Sequence, residues 1–243
     1  MLYRNEIISA LNKYLNVAAA PEHNGLQVEG KDEIRKIIFG VSAHTALFKA
    51  ALKAEADMII VHHGLIWDKS QSITGVFGGR VRFLIKNDIN LAAYHLPLDF
   101  HPIVGNNTQI AKFIGLKNIV PFGNYRGKDI GFKGGFKRAA DIETICKKLN
   151  GECLLFGNAK INRAAIVSGG AHDMLEQAAD AGVDLFITGS RDEFVVEYCR
   201  EAKINFIAMG HYNSEIFGVK ALESYVKKRF KAQTKFIDIP NPF

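Results

Sequence analysis

Cysteine is scarce in this chain: three in 243 residues, at positions 146, 153 and 199, with no C-x-x-C pair among them. An odd, scattered count fits a reducing compartment better than a secreted, bridged domain, and no thiolate is placed to build a structural zinc site. Long apolar runs are missing too. No stretch approaches the roughly 18 consecutive apolar residues of a membrane span. The first twenty residues carry Arg4, Asn5, Glu6, Asn12 and Lys13 through their apolar positions, which argues against a signal peptide. The expectation is a cytoplasmic protein that does not enter a membrane. No linker, low-complexity run or block of like charge divides the chain. Helix-turn-helix, zinc-finger and RNA-recognition signatures are lacking, as is the G-x-S-x-G turn that would support a serine nucleophile.

What is present is an ordinary globular composition, 48% hydrophobic and 23% charged, which excludes disorder and fibrous classes. The length allows one or two domains. A net charge of +6 permits a polyanionic partner without demanding one. Ile7, Ile8, Leu11 and Leu15 repeat at helical spacing near the start. Three short apolar runs follow, at 36–41, 57–61 and 90–94, with the pattern of strands buried on both faces. Between the first two, Ser42 or Thr45 would cap a helix whose inward side is Ala46, Leu47, Ala50, Ala51 and Ala54. That is a βαβ unit.

A second unit begins at Arg163. Shifting residues 36–61 by 127 positions lays Lys36 on Arg163, Ala51 on Ala178 and Asp57 on Asp184 without a gap. The strand before His95 has its counterpart in 204–209, before His211. The fold class expected is therefore α/β, with internally duplicated βαβ-containing lobes and a short α+β segment between them. The first lobe would span 1–120 with 211–243 packing back on it, the glycine-rich bridging segment 121–160, and the second lobe 161–243. The tail from His211 reads as a long helix through Ile216, Val219, Leu222 and Val226.

Chemistry concentrates at the strand ends. His62-His63 follows one buried run, His95 another and His211 a third, where open α/β sheets place their sites. His95 with Asp99 and His211 with Glu215 are both H-x-x-x-[Asp/Glu], and a helical turn, or for the first copy with Pro97 a simple turn, would bring imidazole and carboxylate to one face. Such donors suit zinc, manganese, iron or nickel. The bland alternative for either pair is a hydrogen-bonded contact that orients a loop. Adjacent side chains in extended backbone point to opposite sides, so His62 and His63 fit two ions better than one. A pair of ions can activate water and clamp a reacting oxygen. Ser168-Gly169-Gly170 reads either as a phosphate cradle or as a turn needing positive φ, Phe77-Gly78-Gly79-Arg80 as a flexible loop or turn, and Lys147-Lys148 and Lys227-Lys228-Arg229 as solvated helix faces.

The blocks Asn24-Gly25-Leu26-Gln27-Val28, Val61-His62-His63-Gly64-Leu65, Tyr94-His95-Leu96-Pro97-Leu98-Asp99 with His101-Pro102 and Gly105-Asn106-Asn107, and Gly210-His211-Tyr212-Asn213-Ser214-Glu215 together resemble one family over essentially the whole chain. It is the GTP cyclohydrolase I type 2 homolog family, the NGG-interacting-factor-three-like dinuclear metal proteins. The resemblance implies a duplicated α/β architecture with a metal site in the cleft and two divalent metal ions per subunit, in a toroidal homohexamer built as a trimer of dimers. Carried over residue by residue, it makes His62, His63, Asp99, His211 and Glu215 metal ligands, and leaves His95 for an acid/base or supporting role. The sequence departs from the family pattern in two places. Pro21-Glu22-His23-Asn24 stands where relatives often have Trp-Asp-Asn, and Ser190 stands where they commonly carry an acid, with Glu193 as the nearby candidate substitute. The function implied is a metal-dependent hydrolase of a nucleotide or similar small molecule. The alternative is a basic ring that binds nucleic acid or protein, with a structural metal centre.

Overall fold

The computed structural model describes residues 2–20, 22–67 and 72–242; Pro21, in the departing motif, lies outside them. The chain runs through α1 (Arg4–Tyr14), β1 (Gly25–Val28), β2 (Lys36–Ser42), α2 (Thr45–Lys53), β3 (Met58–His63), α3 (Gly75–Lys86), β4 (Asn90–Ala93) and the single turn α4 (Leu96–Asp99). It continues through α5 (Asn106–Ile114), β5 (Lys117–Tyr125), β6 (Lys128–Asp141), α6 (Ile142–Leu149), β7 (Glu152–Leu154), β8 (Lys160–Val167) and α7 (Leu175–Asp180). β9 (Leu185–Thr188), α8 (Phe194–Ala202), β10 (Asn205–Ala208), α9 (His211–Phe230) and β11 (Gln233–Phe236) complete it. Contacts divide these elements into two units, Met1–Leu98 with Val219–Pro240 and Asp99–Gly218 with Asn241–Phe243.

In the first unit, among the described residues, five strands lie in the order β1-β4-β3-β2-β11. β11, β2, β3 and β4 run parallel to one another, and β1 closes one edge antiparallel to β4. Ile38, Ile59 and Leu91 are buried on these strands against Phe48, Ala51 and Leu84 of the helices, each contributing on the order of 1.5–3 kcal/mol if large and fully buried. The second unit has the order β5-β6-β8-β9-β10-β7, with β8, β9 and β10 parallel and β7 antiparallel on the edge beside β10. Ile166, Ile187 and Ile207 form its core with Ile110, Ile145 and Leu149.

The duplication is visible bond by bond. Asp57 Oδ2 accepts the backbone N–H groups of Arg35 (2.9 Å) and Lys36 (3.1 Å), and Asp184 Oδ2 accepts those of Asn162 (2.8 Å) and Arg163 (2.9 Å). Asn90 Oδ1 accepts from the Gly30 amide at 2.8 Å, and Asn205 Oδ1 from the Gly157 amide at 3.0 Å. Strand order agrees as well: β1, β2, β3 and β4 take the places that β7, β8, β9 and β10 take in the second sheet.

Several expectations change. The segment 121–160 supplies edges of the second sheet instead of bridging two lobes: β6 pairs with β8 and β7 with β10. The first unit ends at Leu98, not 120, because α5 packs its Ile110, Ala111 and Ile114 into the second core, and the tail returns to the first unit from Val219, not His211. Neither Ser42 nor Thr45 caps α2. His44 Nδ1 accepts the Leu47 amide at 3.4 Å, and burial, with the Arg80 charge, holds this imidazole below its usual range, so it serves as a neutral acceptor. The Phe77–Arg80 stretch is not a loop but the first half of α3, where burial of Val81 and Leu84 at helical spacing outweighs two glycines. Cys146 on α6 and Cys153 on β7 are joined in a disulfide, which corrects the reading of three dispersed thiols. Cys199 is buried and its thiol is pushed up to about 11 by that burial.

Candidate metal centre

In the first unit, β3 and β4 deliver His62, His63 and His95 from their carboxyl ends, and the donor atoms of all three lie within 4.8 Å of one another. The expected divergence of His62 and His63 does not hold, since their ring centroids are 4.7 Å apart. His63 is the last residue of β3, where the pleat no longer sets the side chain from both directions. His62 is fully buried and its Nδ1 is 3.0 Å from the Tyr94 carbonyl, which places the proton on Nδ1 and the lone pair on Nε2. His63 Nδ1 meets Ser42 Oγ at 3.2 Å, so Nε2 is the atom that could meet an ion. Tyr94 is itself buried, which pushes its phenol far up and keeps it neutral, and its hydroxyl donates to Asn12 Oδ1 at 3.0 Å.

The loops that carry these imidazoles are pinned from β1. Gln27 Oε1 accepts the amides of Leu65 (2.7 Å) and Ile66 (3.1 Å), and Gln27 Nε2 donates to the Ile66 carbonyl at 2.7 Å. Gly64 is required by this clamp, because a Cβ there would collide with the Gln27 carboxamide. Asn24 Oδ1 accepts the His95 amide at 2.8 Å. Glu22 Oε1 lies 3.6 Å from His95 Nδ1, an ion-pair distance, with its side chain 11% exposed.

The second unit holds two buried carboxylates. Asp99 Oδ1 accepts from Asn106 Nδ2 (2.9 Å) and Ser168 Oγ (2.8 Å). Glu215, 2% exposed, lies one helical turn after His211 on α9, with Oε1 3.1 Å from His211 Nε2. The ligand atoms of Asp99 and Glu215 are within 4.8 Å of each other. The turn after β8 makes room for them: Gly169 has φ +70°, and a Cβ on it would sit 2.8 Å from Glu215 Oε1 and 3.3 Å from His211 Nε2. The amides of Ser168, Gly169 and Ala171 are engaged within the chain, which favours a turn over a phosphate cradle. Ser168 N–H goes to Asn107 Oδ1 at 2.6 Å, Gly169 N–H to Ser214 Oγ at 2.9 Å and Ala171 N–H to Thr188 Oγ1 at 3.3 Å.

The donor chemistry fits divalent cations. His62 and His63 each have Nδ1 engaged, against a carbonyl that sets the tautomer of His62 and a hydroxyl that steers His63, and Asp99 and Glu215 are buried carboxylates. A family model described as Duf34/NIF3 (NGG1p interacting factor 3) matches residues 2–242. The chain belongs to this family. It is 40% identical over 238 residues to an Archaeoglobus fulgidus protein and 40% identical over 246 residues to one from Pyrococcus horikoshii, covering 97% and 98% of each chain, and both carry the name GTP cyclohydrolase 1 type 2 homolog. Among solved structures it is similar to TTHA1606 from Thermus thermophilus (TM-score 0.92, 33% identity) and to protein ybgI, titled as of unknown function (TM-score 0.91, 35% identity), each matched over 100% of both chains.

The remaining histidines of this Duf34/NIF3 chain stand apart from the clusters. His101 is buried and Nδ1 accepts the amides of Ile103 (3.2 Å) and Val104 (3.1 Å), the work of a turn former. His172 Nδ1 meets Ser190 Oγ at 2.9 Å and its Nε2 is 3.8 Å from Asp192. His23 is 3.4 Å from the Leu26 carbonyl. Glu193 is exposed at the start of α8, and Asp192 is the acid that pairs with His172 beside Ser190. Residue types at strand ends pointed to the imidazoles and carboxylates but not to their supports. Asn24, Gln27, Asn106 and Ser168 were signalled only as members of the family blocks or of a turn, and Ser42 only as a helix cap. His95 shares a cluster with His62 and His63, so it is a candidate ligand as well as a candidate acid/base group.

Proposed function

We propose that this Duf34/NIF3 chain is a metal-dependent hydrolase of a nucleotide or similar small molecule, with His62, His63, Asp99, His211 and Glu215 as ligands of two divalent ions. The observation that carries this reading is the state of preparation of the donors: each imidazole of the His62–His63 pair has its Nδ1 engaged, which turns Nε2 to a metal, and Asp99 is aligned by Asn106 and Ser168. The name shared by the relatives points the same way, and it is a name given to those proteins. When bound, a pair of ions would lower the pKa of water and polarise a reacting oxygen. Tyr94 and Ser42 orient the imidazoles, and Asn106 and Ser168 orient the Asp99 carboxylate through Oδ1. Glu22 is placed to hold a proton on His95 Nδ1, so that Nε2 can take up or release one as an acid/base group. The toroidal homohexamer implied by the family belongs to the same reading.

Metal content of untagged protein tests it. Two ions per chain are expected in the wild type, with loss of metal and of nucleotide hydrolysis in Asp99→Ala. Metal at background in both proteins would sink the hydrolase. The second reading, a basic scaffold for nucleic acid, draws on the exposed Lys147, Lys148, Lys227, Lys228 and Arg229. It requires binding that weakens steeply with salt.

A further inference from the structure

The chain has one tryptophan, and the structure gives it an unusual place. Trp67 is 41% exposed, although a large aromatic ring gains most from burial. It is not loosely held. Leu65 is buried and Ile66 packs on the first unit's core, while Gln27 bonds to both of their backbones. The indole stands edge to face with His95, centroids 4.9 Å apart at 90°, and 6.4 Å from the His63 ring. An aromatic surface next to an anchored pair of residues is thus offered to solvent beside the imidazole cluster.

We propose that Trp67 is a stacking platform that receives the planar heteroaromatic ring of the substrate and so selects ring-bearing molecules over ring-free phosphates. This rests on the hydrolase reading above and adds the substrate class. An indole stacks on any nucleobase-like ring, because each has a π-face, and removing one such contact weakens binding by roughly tenfold or more. Phe at this position keeps the stacking face, whereas Leu keeps bulk and loses it.

Because no other tryptophan is present, emission excited at the red edge of the absorption band, beyond tyrosine, reports on this residue alone. Metal-loaded wild-type protein is titrated with GMP and with ribose 5-phosphate, and calorimetry gives affinities for Trp67→Phe and Trp67→Leu. Saturable quenching by GMP and none by ribose 5-phosphate is expected. Trp67→Phe should bind GMP within about threefold of wild type and Trp67→Leu about tenfold or more weakly. GMP binding of unchanged strength in Trp67→Leu, no GMP binding at all, or binding without any change in emission overturns the proposal. Protection of Trp67 from iodide in the free protein also overturns it, since another copy would then cover the ring. Turnover measured in parallel separates the two ideas. Hydrolysis unaffected in Trp67→Leu removes the platform and leaves the hydrolase, whereas GMP stacking with no turnover of any nucleotide does the reverse.

Discussion

Asp57 is 2% exposed, and burial alone would raise its carboxyl. The amides of Arg35 and Lys36 and the Lys31 ammonium, 3.0 Å away, outweigh that and bring it below its ordinary 3.8. Removing the carboxylate strands two backbone donors, so Asp57→Ala is expected to cost about 2–4 kcal/mol in urea unfolding at neutral pH. The sign with pH follows from the lowered value. The contribution is full above 3.8 and fades as pH falls through the folded pKa beneath it, so wild type and variant should converge in acid. A gap that stays constant down to pH 2 would remove the carboxylate as its cause. Little at this scale was readable in the sequence. The offset of 127 aligned Asp57 with Asp184, but nothing in either residue type revealed the matching pairs of amides. His44 as a helix cap was hidden for the same reason: Ser and Thr stand on either side of it and are the usual caps.

At the scale of elements, continuous apolar runs gave β2, β3, β4, β8, β9 and β10 almost to their ends, since strands buried on both faces need no alternation. The 3.6-residue period gave α1, α2 and α9. Connections were harder. The cysteine pairing of α6 with β7 depends on a turn that brings the Cα atoms within 6.4 Å, and no spacing rule in the sequence anticipates it. The Gly64–Trp67 loop is the element that most needs its support. Gly64→Ala would push the Gln27 carboxamide out of three backbone contacts, at an expected cost of about 1–3 kcal/mol. The check is denaturant stability together with anisotropy of Trp67 emission, which should fall as the loop loosens. Unchanged stability and anisotropy would show that the clamp is dispensable.

At the scale of the molecule, the duplicated α/β character was legible in the offset of 127 between the two βαβ units, and the family in the HHG, YHLPLD and GHYNSE blocks standing in order along the chain. The division at Leu98 was not, because it turns on which core α5 and the edge strands join, and the apolar residues of α5 read the same whichever core they enter. The ligand reading makes a prediction here. Ions that bind the folded chain and not the unfolded one stabilise it by about 2.7 kcal/mol at a hundredfold excess over Kd. Zinc or manganese should therefore raise the melting temperature, a chelator should lower it, and Asp99→Ala should respond to neither. A melting curve indifferent to metal in the wild type would argue against ligands drawn from the folded state.

The clamp by Gln27 bears on how inherited variation in this gene would be interpreted. Gln27 acts through main-chain groups, and sits 38 and 39 positions from the two residues whose amides it holds. A survey of loss-of-function alleles would nevertheless group it with the histidines. Revertants of a lesion at Gln27 should then arise in the loop it holds, and not among the proposed metal ligands.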